Sequence, residues 1–426
     1  MFSYLLSSLS SAFIALLKPV FGWVTFPQQI LSDKHKRIAD GDSGPQTFLH
    51  PVVQEFKIMI EEDPELYMGF HQMFEQIPDD PKYRVDPTGN PQIFDYKQML
   101  GVLDTLLTRA PEFGDGEKGE LIPVPFNAML NWPMCTPAGF RVFTCDKVNT
   151  QIRKILNVWA EFLSSPDSRY VLTSDPMGWF GPDASRAMPN FIDTFECSPS
   201  KPYHGFSSWD DFFTRKFRPG TRPLANPTDQ SIIANACESV AYKISYDVEA
   251  RSPFWLKGET YSLYHMLNND PLTSYFIGGT VYQAYLSALN YHRWHSPVDG
   301  TIVKVVHVPG TYCASSPLRS FESGSPDPGA PGFSQAFTTN LATRLLIFIR
   351  ADNPDIGLMC FIAVGMVEVS SCEATVRTGG RVKKGEELGM FHFGGSTHCL
   401  VFRPETKITL SDEAQHCVAR VSNRHS

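Results

Sequence analysis

The apolar residues of this chain change period part-way along, and that change limits the folds open to it. Through residues 49–163 they recur at helical spacing. The clearest stretch is 146–163, where Val148, Ile152, Ile155, Leu156, Trp159 and Phe162 form one stripe behind Asp146 as N-cap. Residues 50–77 carry a second such pattern, interrupted at Pro64, and 96–107 a third. From about Tyr203 the texture differs. A short helix over 207–217, with Ser208 and Asp211 at capping-box spacing, precedes β-branched runs at 231–236, 240–244, 301–307, 345–349, 359–369 and 373–376. Turn signals such as Asp299-Gly300, Pro309-Gly310 and Gly379-Gly380 separate them. Helices followed by strands predict an α+β fold: a helical N-terminal domain over 28–200 and a mainly β domain over 201–426.

Composition excludes several classes. Hydrophobic residues make up 42% of the 426, enough for a substantial core, and the formal charge of -8 offers no footprint for nucleic acid. The nine cysteines are odd in number and none stand at CxxC spacing, which predicts reduced thiols, no metal centre and a cytoplasmic setting. The segment 1–27 is an amphipathic, hydrophobic leader without charge before Lys18. Its serines and short apolar run do not suit a spanning helix. Two readings stay open: a peripheral membrane contact through 1–24, or packing on the rest of the protein.

Three short pieces hold residue types capable of chemistry. In His292-Arg293-Trp294-His295 the two histidines, three apart, share a face if the segment is a helix or turn. Metal ligation or simple polar packing explains such a pair equally well. Gly394-Gly395-Ser396-Thr397 reads first as a glycine turn. A Gly395-Ser396 bond also permits self-attack, because the Ser396 hydroxyl can reach the Gly395 carbonyl without a side chain in the way. Such attack needs a histidine base and an acid to orient it. Glu238, in Ala236-Cys237-Glu238-Ser239, is a carboxylate in a turn and by itself no more than a solvated charge.

In this order the pieces resemble the phosphatidylserine decarboxylase family of pyruvoyl enzymes. The likeness runs through Phe212-Phe213-Thr214-Arg215, Lys257-Gly258, Tyr291-His292-Arg293-Trp294-His295 and Val308-Pro309-Gly310. It continues through Lys384-Gly385-Glu386-Glu387-Leu388-Gly389 to Ser396-Thr397, covering roughly 206–404. Gln54-Glu55-Phe56-Lys57, Arg109-Ala110-Pro111 and Asp167-Ser168-Arg169 look like fungal members that decarboxylate free amino acids in secondary metabolism, tryptophan among them. The resemblance implies a catalytic domain of the phosphatidylserine decarboxylase type over 201–426, self-cleaved at 395/396 into two chains that stay associated. It implies a pyruvoyl cofactor made from Ser396, with His295 as base, Glu238 orienting it and His292 as proton donor in decarboxylation. It implies a small-molecule substrate, an L-amino acid such as tryptophan or a related aromatic one. The alternative is phosphatidylserine, and more remotely an uncleaved serine hydrolase or an inactive binding protein. Two positions depart from the family pattern: Glu238-Ser239 stands for the usual Asp-Gly, and Gly394 for leucine.

Overall fold

Pro64 divides the first helical pattern in two, because proline cannot continue a helix but suits its first turn. The computed structural model of the protein describes residues 49–87, 89–113, 125–224, 226–252, 260–286, 289–324, 326, 334–365, 371–392, 396–410 and 419–421. The leader 1–27, Lys257-Gly258 and Gly395 lie outside the described residues. Helix α1 (Pro51–Glu62) ends at Asp63, whose carboxylate accepts from the Glu65 and Leu66 amides and caps α2 (Pro64–Glu75). Helices α3 (Tyr96–Leu106), α4 (Pro125–Met134), α5 (Pro137–Phe143) and α6 (Asp146–Leu163) follow. The stripe of α6 is buried at Val148, Ile152, Ile155, Leu156 and Trp159. Its N-cap is Cys145 rather than Asp146, which stands in the first turn, where a negative charge favours the helix dipole.

One apolar cluster joins these helices and extends past residue 200 to Trp209, Phe212 and Phe213 of α7 (Trp209–Phe213), and on to Tyr312 and Cys313. The Asp211 amide donates to the Ser208 hydroxyl at 3.0 Å, and the Asp211 carboxylate accepts from the Ser207 amide at 2.8 Å. The capping pair therefore forms, one residue wider than a standard box.

The strands are β1 (Ile232–Ile233), β2 (Val240–Ser245), β3 (Thr280–Leu286), β4 (Arg293–His295), β5 (Gly300–Val308), β6 (Arg344–Ala351) and β7 (Leu358–Gly365). They continue with β8 (Cys372–Ala374), β9 (Arg381–Val382), β10 (Glu387–Phe391), β11 (Ser396–Phe402), β12 (Ile408–Leu410) and β13 (Ala419–Val421). A seven-stranded antiparallel sheet runs β2-β3-β11-β7-β6-β5-β9. Every residue of β3 and β7 is buried, so both faces of the sheet are covered. Tyr282, Ala284, Phe361, Ala363 and Leu400 belong to one apolar cluster; Val281, Cys360, Ile362, Cys399 and Val401 belong to the other. This is the two-residue alternation of a strand with two dry faces. A small sheet, β4-β10-β8, lies beside the first cluster through Trp294, Leu388 and Phe391.

Candidate active site

Ser396 opens β11 and pairs on both sides, with Leu286 of β3 and Gly365 of β7. Sequence had suggested a turn here; the structure places Ser396 in a central strand. The next residue is fixed firmly. The Thr397 hydroxyl donates to the Ala284 carbonyl at 2.9 Å and accepts from the Gln283 side-chain amide at 3.0 Å. Gln283 in turn accepts from the Tyr261 hydroxyl at 2.6 Å.

The histidine pair is on neither a helix nor a turn: His295 ends β4, and His292 lies in the lead-in just before it, so the two do not share a helical face. The His292 carbonyl accepts from the Phe391 amide at 2.9 Å, at the end of β10 that leads towards Ser396. The His292 ring is fully buried, stacked on Phe213 with centroids 3.9 Å apart, and neither nitrogen has a hydrogen-bond partner among the described residues. Burial, and then the Arg215 charge, holds it well below the ordinary histidine pKa; the nearby Asn290 backbone opposes them without a hydrogen bond of normal geometry. His292 is neutral. Arg215 is itself buried, donates to the Leu289 and Asn290 carbonyls at 2.6 and 2.9 Å, and lies over the Phe195 ring at 4.5 Å. Burial pulls its pKa down to about 10, which leaves it charged.

His295 pairs with Glu387, four residues and about 13 Å along β10 from Phe391. Its Nδ1 lies 2.8 Å from the Gly385 carbonyl, which can only accept, so Nδ1 carries the proton. Nε2 is then free to accept from the Tyr291 hydroxyl at 2.9 Å. Burial lowers this pKa too, against the Gly385 hydrogen bond. Glu238 was expected to orient His295. Instead the Arg222 guanidinium donates twice to its carboxylate, at 2.8 and 3.1 Å, while Tyr291 and Gly385 take the imidazole nitrogens. A cation is the stronger partner for a carboxylate than a neutral ring. Glu238 still lies close by: the His295 amide donates to the Ala236 carbonyl at 2.8 Å, and Arg222 covers Phe217, which stacks on Tyr291.

Two more histidines escaped the sequence reading. His392 sits between Asp210, 3.0 Å from Nδ1, and Glu373, 2.9 Å from Nε2. Burial works against its charge, but the two carboxylates outweigh burial and raise its pKa to about 8. His398 is two residues past Ser396 and fully buried beside Phe361, with neither nitrogen hydrogen-bonded among the described residues. Burial holds its pKa at about 3. The strand period was the available signal: positions 396 and 398 belong to one face of β11.

A cavity of 360 Å³ opens beside these elements, between α6 and the β5–β6 end of the sheet. One wall includes Thr343, whose carbonyl accepts from the amide of Gly365, the strand partner of Ser396. Another includes Ser371, whose carbonyl accepts from the His392 amide, and Cys372, the pairing partner of Phe391.

Residues 50–188 and 209–421 match two family models, each described as phosphatidylserine decarboxylase. The chain belongs to the phosphatidylserine decarboxylase family. It is thus a carboxy-lyase. Among this family's members it is 37% identical to L-tryptophan decarboxylase of Psilocybe cubensis, over 92% of this chain and 90% of that protein. It is 45% identical to decarboxylase iboD of Amanita muscaria, over 73% of this chain and 95% of the other. Phosphatidylserine decarboxylase proenzyme 3 of Schizosaccharomyces pombe is 31% identical over 56% of this chain and 23% of its own length.

The residues present fit the family's pyruvoyl group. Ser396 is anchored in the sheet on both sides. His292, whose carbonyl bonds Phe391 at the end of β10 leading to it, keeps its buried ring nitrogens without a hydrogen-bond partner among the described residues.

Proposed function

We propose that this chain is a self-processing, pyruvoyl-dependent decarboxylase of a free L-amino acid, acting in fungal secondary metabolism. The observation that carries the substrate class is coverage. Likeness to the tryptophan decarboxylases spans 92% of the chain, including the helical half, whereas likeness to the phospholipid enzyme of Schizosaccharomyces pombe spans 56%.

Maturation begins with the Ser396 oxygen bonding to the Gly395 carbonyl carbon as the Gly395-Ser396 amide breaks. His295, neutral and protonated on Nδ1, is assigned as the base that takes the hydroxyl proton on Nε2 and passes it to the departing Ser396 nitrogen. Because His295 stands about 13 Å along β10 from Phe391, this requires the unprocessed chain to bring Ser396 to it as Tyr291 yields that nitrogen. Elimination then separates the chains, leaving a carboxylate on Gly395, and hydrolysis releases the Ser396 nitrogen as ammonia. The pyruvoyl group supplies a ketone that engages the substrate amine and accepts the electrons left when carbon dioxide departs. His292 moves the proton. Being neutral in a dry site, it is poised to receive one as substrate binds and to return it to the product carbon. Pairing of β11 with β3 and β7 keeps the two chains together. No described helix is long and apolar enough to cross a membrane, and peripheral contact through 1–24 stays part of the proposal.

The test is carbon dioxide release from a panel of L-amino acids, tryptophan first, and from phosphatidylserine in mixed micelles. Turnover of free amino acids supports the reading. Turnover of the phospholipid alone would replace it with the family's lipid reaction.

A further inference from the structure

The cavity between α6 and the sheet end carries positive charge without a counter-ion among the described residues. Arg153 of α6 is exposed on its wall, with neither a hydrogen bond nor an ion pair among the described residues. Arg344 closes the opposite side, its guanidinium donating to the backbone carbonyls of His265, Met266 and Ala342. Asn157, His307, Tyr312, Thr343 and Ser371 make up the rest of the polar lining, and no carboxylate of the described residues joins them. Such a wall selects for an anion.

Which anion follows from position and from chemistry. Arg344 stands two strands from β11, in register with Val364 and Thr397. Its backbone is therefore about 10 Å from the start of β11, and its side chain is on the sheet face opposite position 396. A substrate amine engaged at 396 keeps its own α-carboxylate within a few ångströms, short of that wall. Holding the α-carboxylate with arginine would also oppose catalysis, since the ion pair stabilises the ground state and is lost as carbon dioxide forms. We propose that the cavity receives a second, distal acid group of the substrate, and that Arg153 is the specificity-determining residue that recognises it.

This inference rests on the amino-acid reading and narrows it to amino acids with an acidic side chain, leaving tryptophan as a neutral comparator. A distal anion could also be a lipid phosphodiester, so the experiment separates the two sources. Purified, processed enzyme is given glutamate, its neutral isostere glutamine, tryptophan, and phosphatidylserine in mixed micelles. In parallel, the thermal midpoint is measured with and without glutarate, a dicarboxylate lacking the amine. We expect glutamate to exceed glutamine in kcat/KM by about tenfold or more, in line with a site built around one polar group. We expect glutarate to raise the midpoint. In Arg153→Gln both differences should vanish, while cleavage into two chains and the glutamine rate stay as in the parent. Preference for phosphatidylserine with the same loss in Arg153→Gln keeps the anion site and assigns it to the lipid. Equal or better use of tryptophan and glutamine, unchanged by Arg153→Gln, overturns the inference. No carbon dioxide from any amine overturns the underlying reading instead.

Discussion

At the residue scale, the two histidines of His292-Arg293-Trp294-His295 do different work because their surroundings differ. His295 has both ring nitrogens hydrogen-bonded and its tautomer set, while His292 is buried with neither nitrogen paired among the described residues. His295→Ala should therefore leave an uncleaved chain, whereas His292→Ala should cleave yet decarboxylate at least about a hundredfold more slowly, the usual contribution of a positioned proton-transfer group. A denaturing gel and a carbon dioxide assay separate the two effects. Glu238 is held by Arg222 on a partly exposed surface, where an ion pair is worth about 1 kcal/mol. Glu238→Gln should slow maturation by no more than about tenfold, as followed by gel during expression, rather than by the several orders of magnitude that follow loss of a true triad acid. His392 makes a pH-dependent contribution. Its folded pKa, about 8, exceeds the ordinary 6.5, so its stabilisation is complete below pH 6.5 and is lost as pH rises through about 8. Urea midpoints at pH 6 and pH 9 should differ more in the parent than in His392→Gln. The acid-base motif and Ser396 were visible in sequence as residue types, but the partners were not, since Tyr291, Gly385 and Arg222 reach them only through folding.

At the element scale, periodicity exposed the helices and strands such as β5, β6 and β7 but hid β3 and β11. Helix α6 has one wet and one dry face, and its stripe could be read directly. Strands β3 and β11 lie between other strands with both faces covered, so polar residues such as Gln283, Thr397 and His398 interrupt the pattern while remaining buried. Gly394-Gly395 before Ser396 added a turn signal to what is the start of a strand. Packing between β4 and β10 depends on Gly389, where an added Cβ would lie 2.1 Å from the Glu373 carbonyl oxygen and 2.6 Å from the Trp294 ring. Gly389→Ala should cost about 1–3 kcal/mol, the usual toll of overpacking. Chemical denaturation should detect it as an earlier midpoint, with slower maturation because β4 carries His295 and its lead-in, bonded to β10 at Phe391, carries His292.

At the scale of the whole molecule, the helical half contributes directly to the cavity through α6, while the β half holds Ser396 and both motif histidines. Sequence located that division of labour near residue 200 but not the contact between the parts. Trp209, Phe212 and Phe213 of α7 join the helical cluster, and Phe213 stacks on His292. The central claim is that the chain cuts itself between Gly395 and Ser396 to make its own cofactor. The direct measurement is intact mass spectrometry of the purified protein after denaturation, with the native protein run beside it on a sizing column. The account predicts one particle natively and two chains on denaturation, the smaller spanning residues 396–426 and blocked at its N-terminus by a pyruvoyl group in place of serine. A single intact chain of 47.8 kDa that releases carbon dioxide at full rate would contradict it.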